Sequence, residues 1–448
     1  TTTRARVSAV GSRAGNVALL VVVGTVLVLC LGAVQTNILL PESVRPVEPA
    51  MAGPFGALSF HLPVVPLLLA LTSMFAAYVI AVRRADRISP RSVLMAVAAV
   101  NALVVLAPPL FSTDVFSYQA YARIWATYGS NPYLHGPYAI SLDPVYHYIG
   151  SKWIFTPSVY GPLFTVLSGL LAPVSVALSA VTFKAVAALS SIATITLIWH
   201  GARLRGLDPV RAVALFGLNP LVVVYGVGGG HNDLLMLVLA TAGIHALLAH
   251  RERMSGAMIV LATGIKLTGG VLLPFALASG AKLGAPTRRR KLLTGAGVAG
   301  AAVAVAGFAA FGGGVLNLLP TLQRVQAAGD WHSIPGFITT VFGVGSIGRL
   351  AGVLLGVAFV GVTAWLLRRV WRGEMDWIDG VGWATLAMLV TASSILPWYV
   401  CWLLPPVALC TDRRLWKASL VLSGVILFTT MLGYVPFGVS LFGMRLVP

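Results

Sequence analysis

The chain has 448 residues, of which 58% are hydrophobic and 10% charged, with a formal net charge of +18. A water-soluble domain carries about 25% charged residues, so this composition excludes a soluble protein. It excludes a nucleic-acid binder as well, because the basic residues form no patch with interleaved aromatics but stand in short clusters at the ends of apolar runs.

In chain order, residues 1–16 read as a disordered basic tail held to anionic lipid by charge, and 17–448 as one transmembrane domain. Cys30, Cys401 and Cys410 all lie in apolar stretches and read as buried small hydrophobes. Cys30 follows an apolar run as a lipoprotein cysteine does. Leu29 stands before it where a small residue is usual, so the first run reads as a retained helix.

Apolar runs near the ~20 residues needed to cross a bilayer recur along the chain. Basic clusters lie at Arg4–Arg13 and around Arg83, Arg203, Arg251, Arg288, Arg368 and Arg413, and by the positive-inside rule they mark the cytoplasmic face. Helix one, 17–35, leads out to a loop with Pro41, Pro46, Pro49 and Pro54. Helices 60–82 and 92–110 return and leave again. A long external segment, 111–179, follows, with Asp114, His135, Asp143, His147, Lys152 and an apolar piece at 162–178. A full span there would put the Arg203 cluster outside, so 162–178 reads as a half-buried helix on the outer surface and 181–199 as the next crossing.

The run 210–228 leads out to Gly228-Gly229-Gly230-His231-Asn232-Asp233, and 234–249 returns. Residues 254–281 hold two short crossings bent near Lys266. After 292–311 comes a second external loop, 312–347, with Arg324, Asp330, Trp331 and His332. Helix 349–367 returns, two more crossings flank Leu396-Pro397-Trp398-Tyr399, and a last helix ends outside. The expected fold is all-α: a polytopic bundle of about thirteen transmembrane helices with a juxtamembrane helical loop on the outer face.

Three groups among the few polar residues invite chemistry. Asp114 stands at the outer boundary, before Tyr118, Tyr121, Trp125 and Tyr128 on one helical face. The carboxylate reads either as an N-cap or as a reactive acid, and the rings either as interfacial anchors or as sugar platforms. Lys266 in an apolar hairpin either snorkels or faces a cavity that supplies an anion. His231, Asn232 and Asp233 open a helix after three glycines, where backbone N–H groups can hold phosphate or where Asn and Asp simply cap. Arg324, Asp330, Trp331 and His332 read as a third polar group or as solvated loop charges. No cluster has metal-ligand spacing, and no acid sits at a helix centre as ion-coupled transport usually requires.

Five places together carry a resemblance: Thr113–Tyr118 with Asn131-Pro132-Tyr133; Tyr160-Gly161-Pro162-Leu163; Asn219-Pro220-Leu221 leading to Gly229–Asp233; Lys266 followed by Pro274; and Leu396–Tyr399. In this order the chain resembles the polyprenol-phosphate-mannose-dependent mannosyltransferases of actinobacteria, membrane enzymes of the GT-C superfamily, and among them the α-1,6-mannosyltransferases of lipomannan. The resemblance implies a GT-C-like bundle in the plasma membrane with its active site on the extracytoplasmic face. It implies a polyprenyl-phosphate-mannose donor, a glycolipid or lipoglycan acceptor and inversion, with α-1,6 favoured over α-1,2 linkage. In such enzymes an acid in the first large external loop is the base, which matches Asp114.

The expected roles follow. Lys266, His231, Asn232 and Arg324 bind the donor phosphate. Tyr118, Tyr160, Asp233, Asp330, Trp331, His332, Trp398 and Tyr399 shape the sugar sites. No cofactor or metal is expected, since a lipid phosphate leaves as an anion without a second acid. The competing readings are a transporter or flippase for a lipid-linked sugar, and a GT-C transferase using another polyprenyl-phosphate sugar.

Overall fold

The computed structural model describes residues 2–279, 286–328, 332–342, 345–434, 440–441 and 444–445. The fold is helical apart from a two-residue antiparallel ribbon, Ser440–Leu441 with Met444–Arg445. The described chain forms α1 (Thr2–Gly32), α2 (Val64–Arg83), α3 (Pro90–Leu106), α4 (Asp114–Ala126), α5 (Pro162–Ser168), α6 (Val176–Leu204) and α7 (Pro209–Gly217). It continues through α8 (Asp233–Leu248), α9 (Glu252–Ile265), α10 (Leu272–Ala278), α11 (Pro286–Phe311), α12 (Leu318–Ala328), α13 (Ile334–Phe342), α14 (Gly345–Trp371), α15 (Trp377–Thr391), α16 (Leu404–Ala408) and α17 (Arg413–Leu432).

Helix starts follow local chemistry. Ser89, Ser175, Asp208, Asp376 and Asp412 each accept a backbone N–H of the turn they open, satisfying donors with no intrahelical partner. Proline at the first helical position sets the entry dihedral of α3 and α7.

Among the described residues six helical stretches are long and apolar enough to cross a membrane, or seven if one bent pair counts as a span, which makes this a multi-pass membrane protein. The thirteen crossings expected from sequence are not reached on length: Pro90–Leu106, Asp233–Leu248 and Trp377–Thr391 are apolar but have only 10–17 residues. At three places the described helices add to the expected outline. The tail 1–16 is not unstructured, because α1 runs back to Thr2; extending a helix already formed needs no new nucleus. The 312–347 loop carries α12 and α13 after a break at Gly312, whose φ is +54°. The apolar piece 162–178 ends its helix by Leu171, turns, and gives way to a 29-residue α6.

The bent pair places the functional residues. After α7 the chain kinks by 47° and continues as a π-helical turn, Leu221–Val227. Pro220 supplies no N–H, and a π turn absorbs the mismatch. Asn219 fixes the kink: its Oδ1 accepts Leu221 N–H at 2.9 Å, while its Nδ2 donates to Tyr78 Oη at 3.1 Å and to Ser423 Oγ at 3.2 Å. Tyr78 Oη in turn donates to Leu215 O at 2.9 Å. These groups are buried, so each bond contributes about 1 kcal/mol and a lost partner costs more. The clamp ties α2, α7 and α17 around the kink, and the Asn-Pro-Leu motif acquires a structural role.

Candidate active site

The π turn delivers the chain to Gly228-Gly229-Gly230. Gly230 has a φ of +70°, and a Cβ there would lie 2.5 Å from Val115 Cγ1 on α4. Only glycine permits both the left-handed turn and this approach, so the run is pressed against the start of α4. Leu110 N–H donates to Gly228 O at 2.9 Å, holding the segment that leads into Asp114. Within that segment Phe111 adopts φ +58°, rare for a bulky residue and common where a site fixes its backbone. Its ring stacks on Tyr225 at 4.6 Å and on Tyr434 at 5.5 Å.

Asp114 is the first residue of α4, and Thr113 occupies the cap position. Its side chain, 18% exposed, faces His231: Oδ2 lies 3.2 Å from His231 Nδ1 and 3.5 Å from Tyr118 Oη. Tyr118 Oη also meets Asn232, accepting its backbone N–H at 3.2 Å and lying 3.4 Å from its Oδ1. Burial pushes the Asp114 carboxyl up, but the nearby His231 ring, the charge of Lys266 and the Tyr118 hydroxyl together hold it below its ordinary value. Asp114 is therefore an ionised carboxylate on a cavity wall rather than a helix cap.

The second carboxylate is held differently. Asp233 is fully buried, and its Oδ1 accepts Lys266 Nζ at 2.7 Å and Trp402 Nε1 at 2.6 Å. Lys266 sits at the break after α9 in an extended conformation, with Nζ 5.0 Å over the Tyr399 ring and 5.2 Å over Trp402. The anion that its burial demands is thus Asp233. The break itself rests on Gly161, which donates to Ile265 O at 3.0 Å; a Cβ there would stand 2.2 Å from Gly264 O. The Asn131-Pro132-Tyr133 turn braces the same place: Asn131 Nδ2 reaches Phe311 O at 2.6 Å, and Tyr133 Oη donates to Tyr160 O at 2.9 Å. Motifs far apart in sequence converge here through two close backbone approaches.

Asp114, Lys266, Tyr160, Trp398 and Tyr399 line one open cavity of about 840 Å³, together with Lys152 and Trp153. That volume suits a sugar-sized ligand with room beyond it. His231 is fully buried and stacked on Trp398, with ring centroids 3.7 Å apart. Among the described residues His231 Nδ1 and Nε2, Asn232 Nδ2 and Asp233 Oδ2 are buried without a hydrogen-bond partner, and such orphaned polar atoms cluster at functional sites.

Not every expected residue joins the site. His231 lies beside Asp114 and is not among the residues that line the cavity. Arg324 bonds Thr321 Oγ1 at 3.1 Å and lines a smaller side chamber of about 210 Å³ with Lys152 and Trp153. His332 is half-buried and does not line the main cavity; Asp330 and Trp331 lie outside the described residues. Tyr121 donates to Thr156 O at 2.8 Å and Tyr128 to Asp143 Oδ2 at 2.9 Å, so these two rings shape the loop. Asp143 is taken by Arg123 at 3.0 Å. Trp402, absent from the sequence reading, stands one helical turn after Tyr399 and stacks on it at 4.2 Å; that i, i+3 spacing was the available signal.

Comparison with known proteins adds an independent line. Residues 18–282 match the family described as "Alpha-(1->6)-mannopyranosyltransferase, N-terminal domain", and residues 332–443 match "MptB C-terminal domain". The chain is 28% identical to alpha-(1->6)-mannopyranosyltransferase A of Mycobacterium tuberculosis, over 69% of this chain and 63% of that protein. It is 28% identical to a second alpha-(1->6)-mannopyranosyltransferase of that organism, over 72% and 66%. With alpha-(1->6)-mannopyranosyltransferase B of Corynebacterium glutamicum the identity is 25%, over 75% and 61%. The match thus spans only about two thirds of the length of these relatives, between 61% and 66%.

Proposed function

This chain belongs to the alpha-(1->6)-mannopyranosyltransferase family, and from that premise we propose that it transfers a mannosyl residue from a polyprenyl-phosphate-mannose donor to a glycolipid or lipoglycan acceptor, forming an α-1,6 linkage with inversion. The observation that carries the reading is the ionised Asp114 on the wall of a cavity that also presents Lys266, Tyr160, Trp398 and Tyr399. Asp114 takes the proton of the acceptor hydroxyl. The acceptor oxygen bonds to the anomeric carbon from the face opposite the lipid phosphate, and the carbon–oxygen bond to phosphate breaks with its electron pair on the departing polyprenyl phosphate. A β-linked donor then yields an α product.

Lys266 faces the leaving group. An ammonium carries three N–H donors, so two remain after Asp233 takes one, and a positive charge fixed beside the phosphate stabilises the negative charge that develops there. The indole and phenol faces of Trp398 and Tyr399 suit the apolar faces of a pyranose. His231 holds Asp114 in place. In this reading the Asp114 cavity opens on the extracytoplasmic side of the plasma membrane, the basic helix ends lie inside, and the shorter apolar helices complete the crossings toward thirteen.

The test compares wild type with Asp114→Asn in detergent, supplied with radiolabelled polyprenyl-phosphate-mannose and a short α-mannoside. Wild type extends the acceptor by one α-1,6-linked mannose, and the variant does not. Extension by wild type and variant alike removes Asp114 as the base; no extension by wild type removes the donor and acceptor assignment.

A further inference from the structure

A second opening, of about 550 Å³, lies among the ends of α2, α7 and α17. The bent span formed by α7 and its π turn begins here at Asp208 and ends at the glycine run of the candidate site, so the two cavities sit at opposite ends of one element. Four cations line this wall: Arg83 at the end of α2, Arg211 in the first turn of α7, and Arg413 and Lys417 near the start of α17.

Among the described residues the two carboxylates in the same wall form no ion pair with them. Asp208 Oδ1 accepts the N–H groups of Val210 at 2.9 Å and Arg211 at 3.3 Å. Asp412 Oδ1 accepts Arg414 N–H at 2.7 Å, and its Oδ2 accepts Trp383 Nε1 at 2.9 Å. Both acids are occupied as helix caps. Among the described residues only Asp86 comes within ion-pair reach of any of the four, 3.7 Å from Arg211, and both are near half-exposed. Basic ends elsewhere carry a counter-charge: Arg205 pairs with Asp376 at 3.1 Å and Arg288 with Glu252 at 3.2 Å. Four cations against two lining carboxylates leave the concave wall with a net positive charge, and that summed field attracts an anion into the opening. The floor is apolar, with Leu215, Val407 and Ala408, and Trp416 lines the wall beside Lys417, the amphipathic ring common at a lipid–water boundary.

We propose that this cavity binds the headgroup of an anionic phospholipid, with the phosphate among Arg83, Arg211, Arg413 and Lys417 and the upper acyl chains on the apolar floor. A free anion has no use for that floor, and a zwitterionic lipid brings its own cation and so adds no net negative charge to answer the four. The proposal goes beyond the transferase reading and does not depend on it.

The test is lipid retention by the purified chain. Wild type and the triple variant Arg83→Gln/Arg413→Gln/Lys417→Gln are mixed in detergent with equal amounts of phosphatidylglycerol and phosphatidylcholine. Retained lipid is counted by native mass spectrometry. Wild type prefers phosphatidylglycerol by roughly tenfold or more, the attraction expected of several basic groups at a membrane surface, and the triple variant shows no preference. A charge-keeping Arg83→Lys/Arg413→Lys variant retains the preference, which guards against a misfolded glutamine variant. Equal preference in all three proteins overturns the proposal. So does loss of preference in a lysine variant that elutes as the wild type does, and so does displacement of the lipid by inorganic phosphate, which makes this a site for a free anion.

Discussion

Two carboxylates of one site are held in opposite ways. Asp233 is sealed in, and one of its oxygens takes bonds of 2.7 and 2.6 Å from an ammonium and an indole. Asp114 is 18% exposed, and its contacts are long, 3.2 Å to His231 and 3.5 Å to Tyr118. A carboxylate engaged by two short charge-assisted bonds is fixed in place by them. One held loosely at a cavity wall stays ionised and still reaches an incoming hydroxyl. Identical side chains are thus divided by their surroundings into an anchor and, in the proposed reaction, a base.

Exchanging each carboxylate for its amide probes that division most strongly. Asp114→Asn lowers transfer by about 10²–10⁴-fold, the usual contribution of a general base, while thermal unfolding in detergent stays at the wild-type temperature. Equal activity would return Asp114 to a merely structural place. Asp233→Asn behaves in the reverse manner: it leaves Lys266 without its counter-charge, and the protein unfolds at lower temperature. Breaking one side of a buried pair costs about 3–5 kcal/mol. The double change Asp233→Leu/Lys266→Met removes both charges and recovers most of that loss. If the double variant is no more stable than the single, the pair is not what holds the α8 start to the α9 break.

How much of this was legible in the sequence depends on the interaction that fixes each feature. The membrane class and most helix positions follow from apolar runs and basic ends, which are local signals. Asp114, Lys266, Tyr160, Trp398 and Tyr399 were singled out from sequence and share one cavity. What the sequence did not disclose was pairing. That Lys266 answers Asp233 and that His231 backs Asp114 depends on Gly161 and Gly230 permitting two backbone approaches between distant segments, and no periodicity reports such contacts. The thirteen-crossing count outran the structure for a related reason: apolarity marks burial, and a 16-residue helix such as α8 is buried by its neighbours without being long enough by itself to span.

Trp402 offers a smaller perturbation of the anchor. Trp402→Phe keeps a ring against Tyr399 but removes the donor to Asp233 Oδ1. A hydrogen bond to a charged group contributes about 1.5–3 kcal/mol, so the unfolding temperature falls by less than in Asp233→Asn, and transfer persists. If instead Trp402→Phe abolishes transfer at unchanged stability, the indole acts on substrate and the anchor assignment fails.

The finest test asks whether His231 sets the charge of Asp114. Burial pushes this carboxyl up, and it is His231 first, then Lys266 and Tyr118, that bring it below its ordinary value of 3.8. For an acid whose folded value is depressed, the stabilisation is fully present above the ordinary value and is lost as pH falls through the depressed one. Wild-type transfer therefore persists through the ordinary carboxylate range and declines only below it. In His231→Gln, burial is opposed by Lys266 and Tyr118 alone, so the acid limb of the rate profile moves upward while the rate near neutral pH changes much less. A limb that stays where it was would mean that the imidazole serves only as a packing surface for Trp398, and that the charge of Asp114 is set from the Lys266 side of the site.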